Sequence, residues 1–275
     1  MRVVALLATH NAERFVGGCI EHLVRHGVET YVIDNESTDA TVETVERFRS
    51  RGLAGLETAP RQGAFALRTL LARKEALAAT LAADWFIHLD ADEIRLPPRS
   101  SVTLAEAIAE VDALGYNAIN FQEFTFVPTQ EAPDHDHPRF RETMRHYYPY
   151  LPEHPNRLNA WKRQDAPVDL TSRGGHRIDF VGLAPYPDSF PMRHYLYLSV
   201  SHAISKYVER VYDPAAVESG WSRRRAALTA DSVTLLSGVE LRESSSDDDL
   251  DPSDPWLEHP LFRSSGSPPS VGVSH

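Results

Sequence analysis

The sequence predicts an α/β protein with a mainly parallel central sheet flanked by helices. Residues 3–8 and 30–33 are short apolar runs, which are typical of strands buried on both faces of a sheet. Each run ends in polar residues and is followed by apolar residues at helical spacing. Because strand and helix alternate along the chain, the strands are expected to lie parallel to one another.

Apolar spacing predicts the helices of the first half. The first helix carries on one side Phe15, Cys19, Ile20, Leu23 and Val24. Gly27 follows as a stop signal. The second helix carries Val42, Val45 and Phe48. A weak strand, a long helix and a buried strand are predicted next, at residues 53–57, 65–82 and 84–89.

The second half is less regular. Thr103 and Glu106 have the spacing of a capping box, which predicts a helix that ends near Leu114. Residues 128–156 are rich in Pro, His and charge, and they are expected to form an ordered excursion over the site. Strands are predicted at residues 116–127, 158–162, 176–181 and 194–200. A last helix is predicted with one face formed by Ala203, Ile204, Tyr207, Val208 and Val211.

Composition divides the chain at about residue 235. Residues 1–235 have the apolar content of a single domain. Residues 236–275 are rich in Ser, Asp and Pro, and six acidic residues fall between positions 243 and 254 without a Lys or Arg. This tail has too few apolar residues to offset the entropy of ordering, so it is predicted to be disordered.

Charge and cysteine content exclude several classes of protein. The net charge is −11, without the basic patch that phosphate backbones require, so polymeric nucleic acid is an unexpected partner. Cys19 is the only cysteine, which fits a reducing compartment. No run approaches the ~20 apolar residues of a membrane span, and residues 3–8 are too short for a signal peptide. We therefore expect a cytoplasmic protein without an integral membrane segment.

Asp90-Ala91-Asp92, followed by Glu93, is the most informative motif. It comes directly after the predicted strand at residues 84–89. Carboxylates at i and i+2 supply the hard oxygen ligands that magnesium or manganese prefers beside a diphosphate. The structural alternative is an acidic turn that caps the next segment.

Polar side chains also follow the first two predicted strands. They are Thr9, Asn11 and Glu13 after the first strand, and Asp34 and Asp39 after the second. Because ligands of α/β sheets gather at the carboxyl ends of the strands, these side chains and the acidic triplet are expected to line one crevice.

The order of these motifs resembles that of family 2 glycosyltransferases, which have the nucleotide-sugar-binding GT-A fold. Residues 9–13 resemble the opening turn of the family. Residues 32–41 resemble its Asp-Asp-Gly-Ser-x-Asp-x-Thr segment, with Asn35 and Glu36 in place of the second Asp and the Gly. Gly63 and Arg68 keep two positions of a Gly-x4-Arg-Asn motif.

Two later groups of residues extend the resemblance. Asp90-Ala91-Asp92 matches the Asp-x-Asp signature of the family. The remaining matches are to a subgroup, and they are Asp169-Leu170, Gly174-Gly175-His176 and Arg193-His194-Tyr195.

The resemblance implies transfer of a sugar, with inversion, from a nucleoside diphosphate sugar to an acceptor hydroxyl in a glycan, a lipid-linked molecule or a small molecule. It also implies manganese or magnesium as cofactor. In that site Asp34 would contact the base and Asp90 the ribose or the metal. The nucleotide-sugar site would comprise Thr9, Asn11, Glu13, Asp34, Asn35, Arg68, Asp90 and Lys206. The metal ligands would be Asp90, Asp92 and His194.

An inverting reaction also needs a base for the acceptor proton. The candidates are Glu123, which shares a predicted strand face with Ile119 and Phe121, together with Asp169 and His176. The usual Glu-Asp base motif of the family is not recognisable. Positive charge for the leaving diphosphate would come from Lys206, Arg210 or Arg193 if the last helix folds back over the site.

Two alternative functions remain open at the level of sequence. A metal-dependent hydrolase would use Asp134-His135-Asp136-His137 together with His146 and His154. A nucleotide-sugar-binding protein without activity would keep the donor site and lack the base. Dinucleotide and P-loop motifs are missing from the sequence.

Overall fold

The computed structural model describes residues 1–61, 64–218 and 223–262. Its strands are β1 Val3–Thr9, β2 Val28–Asp34, β3 Leu53–Thr58, β4 Trp85–Leu89, β5 Glu93–Arg95, β6 Ala118–Phe126, β7 His146–Tyr150, β8 Leu158–Lys162, β9 Phe190–Tyr195 and β10 Arg242–Glu243. Its α-helices are α1 Glu13–Arg25, α2 Thr41–Glu46, α3 Leu67–Thr80, α4 Leu104–Ala113, α5 Phe140–Thr143, α6 Val200–Ala203, α7 Pro214–Glu218 and α8 Arg223–Ala226.

The described residues group into two compact units. The first unit comprises residues 1–61, 67–121 and 155–192. The second unit comprises residues 64–66, 122–154, 193–218 and 223–262. This grouping differs from the single domain expected at residues 1–235, because the second unit includes residues on both sides of position 235.

The sheet of the first unit has β1 near its centre. The strand order is β3-β2-β1-β4-β8, and the first residues of β6 pair with β8. β1 is parallel to β2 and β4, and β2 is parallel to β3, whereas β8 is antiparallel to β4. All of β4 is buried, and so is β1 apart from Ala8, which explains why β1 is apolar as far as Ala8 and β4 is apolar apart from His88. The predicted α/β class with a mainly parallel sheet is confirmed.

The predicted helices of the first unit are present with small shifts of their ends. α1 buries Phe15, Cys19, Ile20 and Leu23, and Gly27 follows it with a φ of 73°. That positive φ is the left-handed conformation that glycine adopts without strain. The capping box of α4 is confirmed, because Thr103 Oγ1 accepts the Glu106 N–H at 3.2 Å and Glu106 Oε2 accepts the Thr103 N–H at 2.8 Å.

Three predictions for the second half were wrong in detail. Residues 128–156 contain a strand, β7, which pairs with β6, although Pro149 and His146 within it gave no strand signal. Residues 176–181 form isolated bridges rather than a strand, with Arg177 opposite Leu158 and Asp179 opposite Asp169. The strand expected at residues 194–200 is β9, which begins at Phe190 and ends at Tyr195.

The last predicted helix is shorter and less regular than expected. α6 continues as a π-helical turn at Ile204–Val208. Val211, which was expected on the buried face, lies beyond this turn and is 61% exposed. The apolar spacing therefore predicted the helical segment but not its end.

The second unit has a core that includes part of the tail. β7 pairs with residues 123–126 of β6 and with β10. The buried apolar residues around this sheet are Val127, Tyr148, Leu196, Tyr197, Ala203, Tyr207, Val233, Trp256 and Leu261. Trp256 stacks on Tyr148 with ring centroids 4.3 Å apart. Within the tail that was expected to be disordered, Trp256 and Leu261 thus bury apolar surface, and residues 263–275 lie outside the described chain.

Candidate functional site

The polar turns after β1 and β2 bind each other through reciprocal hydrogen bonds. Asn11 Oδ1 accepts the Thr38 N–H at 2.8 Å, and Ser37 Oγ accepts the Asn11 N–H at 2.9 Å. Glu13 Oε2 accepts the Ala40 N–H at 3.0 Å. Asn11 and Glu13, which were expected to contact the nucleotide, therefore stabilise the turns in this structure.

Thr9 and Asp34 form a different kind of pair. They lie opposite each other in the register of β1 and β2 and are only 4% and 3% exposed. Asp34 Oδ2 accepts the Ser37 N–H at 3.0 Å. Thr9 Oγ1 and Asp34 Oδ1 are buried without a hydrogen-bond partner in the part of the chain that the structure describes. Two unpartnered oxygens at one sheet edge indicate polar contacts that a ligand would complete.

Asn35 and Arg68 differ in their surroundings. Asn35 is buried and its Nδ2 donates to Ala59 O at 3.0 Å, which connects the end of β2 to the residue after β3. Arg68 lies in the first turn of α3 and is exposed. Gly63, the other residue of the predicted Gly-x4-Arg motif, lies outside the described residues.

The acidic triplet forms a closed turn after β4. The Asp90 N–H donates to Glu93 Oε2 at 3.1 Å, and the Glu93 N–H donates to Asp90 O at 3.1 Å. Asp92 and Glu93 are buried, whereas Asp90 is exposed. Although Asp90 is exposed, dense packing of protein atoms around its carboxylate, and then the charge of Glu93, raise its pKa, and Lys74 opposes this rise.

Buried cationic residues that were not expected from the sequence lie beneath this turn. Lys74 Nζ donates to His88 Nδ1 at 2.7 Å and to Leu89 O at 3.3 Å. Burial lowers the pKa of Lys74 to about 8, and the charges of Asp90 and Glu93 oppose this change. Burial, and then the charge of Lys74, lower the pKa of His88 well below its usual range. Arg95 is fully buried and pairs with Glu93 at 2.8 Å.

The signal for Lys74 was present in the sequence. The buried face of α3 is formed by Leu70, Leu71, Leu77 and Ala78, and Lys74 falls on the same face. A lysine in the middle of an apolar helix stripe is a departure from the usual pattern, because Lys is almost never fully buried without a partner.

The residues of the acidic turn fit a magnesium or manganese ion that also binds a diphosphate. Glu93 is already paired with Arg95, and the Glu93 charge, which adds to desolvation in raising the pKa of Asp90, is a repulsion that a bound cation would relieve. No group of three or more His, Cys, Asp or Glu side chains in the described residues has an arrangement suited to holding a metal on its own. Magnesium commonly takes one or two carboxylates and completes its shell with water and substrate phosphates.

Two of the three candidate bases lie in the first unit, and their contacts do not favour that role. Asp169 Oδ1 accepts the Ser172 N–H at 2.9 Å, and its other oxygen accepts the Ser172 hydroxyl. These hydrogen bonds, the Ser172 hydroxyl first, lower the pKa of Asp169 and weaken it as a base. His176 Nδ1 accepts from Arg157, so the proton of the neutral ring is on Nε2. The lone pair that a base needs is therefore already used in the hydrogen bond with Arg157.

The third candidate, Glu123, is part of a buried pair in the second unit. Glu123 is 0% exposed, and its Oε1 accepts from His194 Nδ1 at 2.6 Å and from Thr125 Oγ1 at 2.9 Å. Because a carboxylate can only accept, the Nδ1 proton of His194 points to Glu123 and the lone pair of the neutral ring is on Nε2. Glu123 thus fixes the tautomer of His194. The atom that could accept a proton or bind a metal is His194 Nε2.

The cationic residues expected beside the diphosphate have other partners in the second unit. Lys206 Nζ donates to Leu196 O at 2.7 Å. Arg193 pairs with Asp247 at 2.6 Å, and the Arg210 guanidinium lies 4.9 Å from the centre of the Phe65 ring. These contacts stabilise the unit itself rather than indicating a phosphate site.

Three of the His and Asp residues of the possible hydrolase site form hydrogen bonds with residues of their own loop. His135 Nδ1 and His137 Nε2 lie 2.9 and 3.2 Å from the same Thr143 hydroxyl. Asp134 Oδ1 accepts the Asp136 N–H at 2.8 Å. This loop therefore gives no support to metal-dependent hydrolysis.

Solved structures that resemble this chain share less than 20% of its sequence. Among solved structures, S. aureus TarS 1–349 in complex with UDP has 12% identity and a TM-score of 0.46, over 81% of this chain and 70% of that one. The same protein in complex with UDP-GlcNAc has 12% identity and a TM-score of 0.43, over 82% and 72%. Glucosyl-3-phosphoglycerate synthase from Mycobacterium tuberculosis, in complex with Mn2+, UDP and phosphoglyceric acid, has 19% identity and a TM-score of 0.31, over 44% and 43%.

The sequence comparisons give the assignment. A search of curated proteins finds no significant match. Within the described residues, no helix has the length and apolar content needed to span a membrane. The model of the family described as "Glycosyl transferase family 2" matches residues 5–155, which is more than half of the 275 residues. The chain therefore belongs to glycosyl transferase family 2 and is a glycosyltransferase.

Proposed function

We propose that this glycosyltransferase takes its sugar from a nucleoside diphosphate sugar and transfers it to an acceptor hydroxyl with the help of a divalent metal. The observation that supports this most directly is the pair of unpartnered buried oxygens, Thr9 Oγ1 and Asp34 Oδ1. Asp90 and Asp92 follow β4, which pairs with β1 on the side opposite to β2. All four residues thus lie at the carboxyl ends of adjacent parallel strands, where α/β sheets bind ligands.

The chemistry of the two oxygens defines what the base of the donor must offer. Asp34 Oδ1 can only accept a hydrogen bond, whereas the Thr9 hydroxyl can donate one. A base satisfies both when an N–H donor lies beside an acceptor. Uracil, thymine and guanine offer a ring N–H beside a carbonyl oxygen, and cytosine and adenine offer an amino group beside a ring nitrogen. We therefore expect Asp34 and Thr9 to bind one edge of the base, and UDP serves as the probe nucleotide.

The metal would be held by Asp90 and Asp92 and, when bound, would neutralise the charge that develops on the departing diphosphate. Asp90 is exposed, and its carboxylate oxygens accept no hydrogen bond within the described residues. Glu93 would not be a ligand, because its Oε2 accepts from Arg95 and from the Asp90 N–H. The hydrogen bonds between Asp90 and Glu93 fix the backbone of the turn that carries both aspartates.

The proton of the acceptor hydroxyl would pass to His194. Glu123 is too deeply buried to touch a substrate, and its hydrogen bond to Nδ1 fixes the neutral His194 ring with the lone pair on Nε2. Once His194 takes that proton, the adjacent Glu123 carboxylate stabilises the imidazolium, as carboxylates do in His-containing catalytic pairs. Direct displacement with inversion at the anomeric carbon follows from a single base of this kind.

Calorimetry with nucleoside diphosphates tests the proposal. UDP should bind in the presence of Mn2+, and Thr9→Val should bind it about 5-fold more weakly, because one hydrogen bond to the base is lost. Equal binding of UDP by wild type and Thr9→Val would contradict the role of Thr9. Hydrolysis of the matching nucleotide sugar without an added acceptor would show that the bound donor is chemically activated.

A further inference from the structure

Lys74 occupies a position where an apolar residue would be expected. It lies on the buried face of α3 between Leu70 and Leu77 and is only 1% exposed. Burying an ammonium group is costly, and replacing buried charges with apolar residues of similar size is often neutral or stabilising. The protein therefore retains a charge that the packing of α3 does not need.

The contacts of Lys74 lead to the acidic turn. Its Nζ donates to His88 Nδ1 at 2.7 Å and to Leu89 O at 3.3 Å. Since an ammonium only donates, Nδ1 of His88 is the acceptor and the proton of the neutral ring is on Nε2. Leu89 is the last residue of β4, and its carbonyl belongs to the peptide group that continues to Asp90. One side chain thus fixes both the ring and the backbone directly before the first aspartate.

Two further contacts hold the same segment. Arg95 donates to His88 O at 3.1 Å and to Glu93 Oε2 at 2.8 Å, and that oxygen also accepts the Asp90 N–H. On the other side of the ring, a Cβ at Gly175 would lie 2.7 Å from His88 Nε2, so the backbone there packs directly against His88. The segment from His88 to Asp90 is thus fixed by contacts with α3, with β5 and with the backbone at Gly175.

We propose that Lys74 is a positioning residue that acts through His88 and Leu89 to fix the turn from which Asp90 and Asp92 bind the metal–diphosphate group. The proposal rests on the function proposed above. We expect Lys74 to touch neither donor nor metal, because it is buried, and the structure shows no hydrogen bond between its Nζ and Asp90 within the described residues. Its effect should therefore be confined to the metal-dependent part of nucleotide binding.

The experiment compares UDP binding to the full chain by calorimetry in Mn2+ and in EDTA. Lys74→Met removes the charge and both hydrogen bonds while keeping an unbranched side chain. The double variant Lys74→Met with His88→Leu also removes the acceptor, His88 Nδ1, that Lys74→Met alone would leave buried without its donor. It tests the proposal even if the single variant does not fold. Lys162→Met is the matched control, because Lys162 is exposed on β8 and pairs with Asp112 at 2.9 Å. Thermal unfolding of each unliganded variant checks the fold.

The expected result is a loss of metal coupling. The ratio of UDP affinity in Mn2+ to that in EDTA should fall about 10-fold or more in both Lys74 variants, as it does for other residues that orient metal ligands, and stay unchanged in Lys162→Met. An equal loss of affinity in both buffers, or a ratio within about two-fold of wild type, would overturn the positioning role. Wild-type protein that binds UDP equally in both buffers would overturn the proposed metal site and this inference together.

Discussion

Thr9 and Asp34 face each other across β1 and β2, and each has a buried side-chain oxygen without a hydrogen-bond partner in the described chain. An unsatisfied buried polar atom costs roughly 1–3 kcal/mol. Two such atoms at one sheet edge are hard to explain as packing, because apolar residues of similar size would fill the same space without this cost. Ligand binding explains them, and it makes Asp34 the first residue to test.

Asp34→Asn should weaken UDP binding without weakening the fold. The amide keeps an oxygen for the Ser37 N–H and presents an N–H group where the base is expected to donate, so two donors would face each other. We expect a loss of about 10- to 100-fold in affinity by calorimetry, as for a hydrogen bond to a charged group. The melting temperature should be unchanged or higher, since a buried carboxylate is removed. Asp165→Asn is the control, because Asp165 is exposed. Wild-type affinity in Asp34→Asn would exclude the base contact.

Asp92→Ala should separate nucleotide binding from metal binding. In wild-type protein we expect UDP to raise the melting temperature more with Mn2+ than with EDTA, because a ligand that binds only the native state stabilises it. Asp92→Ala should lose the metal-dependent part of this increase and keep the part seen in EDTA. A variant that retains the full Mn2+ effect would show that the metal, if bound, does not depend on Asp92.

Glu123→Gln should lower kcat and leave KM for the donor almost unchanged. A glutamine amide at this position can donate to His194 Nδ1 and so favours the wrong tautomer, with the proton on Nε2. Loss of a general base typically costs about 100- to 10,000-fold in rate. Thr125→Val is the matched control, since it removes the other hydrogen bond of Glu123 Oε1 and leaves the pair with His194 intact. If steady-state kinetics show equal, small effects of both substitutions, a catalytic role for the Glu123–His194 pair is excluded.

Asp169→Asn tests a stabilising role against a catalytic one. The pKa of Asp169 is lowered from 3.8 in the folded protein, so the ionised carboxylate is favoured by folding. Its contribution is fully present above the unfolded pKa and is lost as the pH falls through the folded pKa. We expect urea unfolding at pH 7 to show a loss of about 1 kcal/mol in Asp169→Asn, with the difference from wild type shrinking below about pH 4. Turnover should persist, and its loss in a folded variant would restore Asp169 as a base.

Trp256→Ala should destabilise the second unit although it lies in the acidic tail. The indole is buried, stacks on Tyr148, and its backbone N–H donates to Pro149 O at 2.8 Å. Removing a buried tryptophan costs about 3–5 kcal/mol of unfolding free energy. Leu257→Ala is a suitable comparison, because Leu257 is 39% exposed. Equal proteolytic susceptibility of the two variants and the wild type would indicate that the tail does not stabilise the unit.

The sequence determined the first unit because its signals are local. The apolar run of β1, the helical stripe of α1 and Gly27 each depend on neighbouring residues, and all are confirmed. The acidic triplet was placed correctly after β4, since a strand and the turn that follows it are contiguous. Family membership followed from the same contiguous motifs and is confirmed by the match to residues 5–155.

Tertiary structure decided everything that depends on distant residues. Lys74 and His88 are 14 positions apart, and Glu123 and His194 are 71 apart, so neither pair is visible in a local pattern. Tail residues such as Trp256 find their apolar partners in β7, more than a hundred positions earlier, which is why composition alone suggested disorder. Local periodicity is set by the geometry of a single element, whereas the partner of a buried polar or aromatic group is set by how elements pack. The sequence by itself thus determined the class of enzyme, and only the packing revealed which side chains hold the acidic turn and the histidine in place.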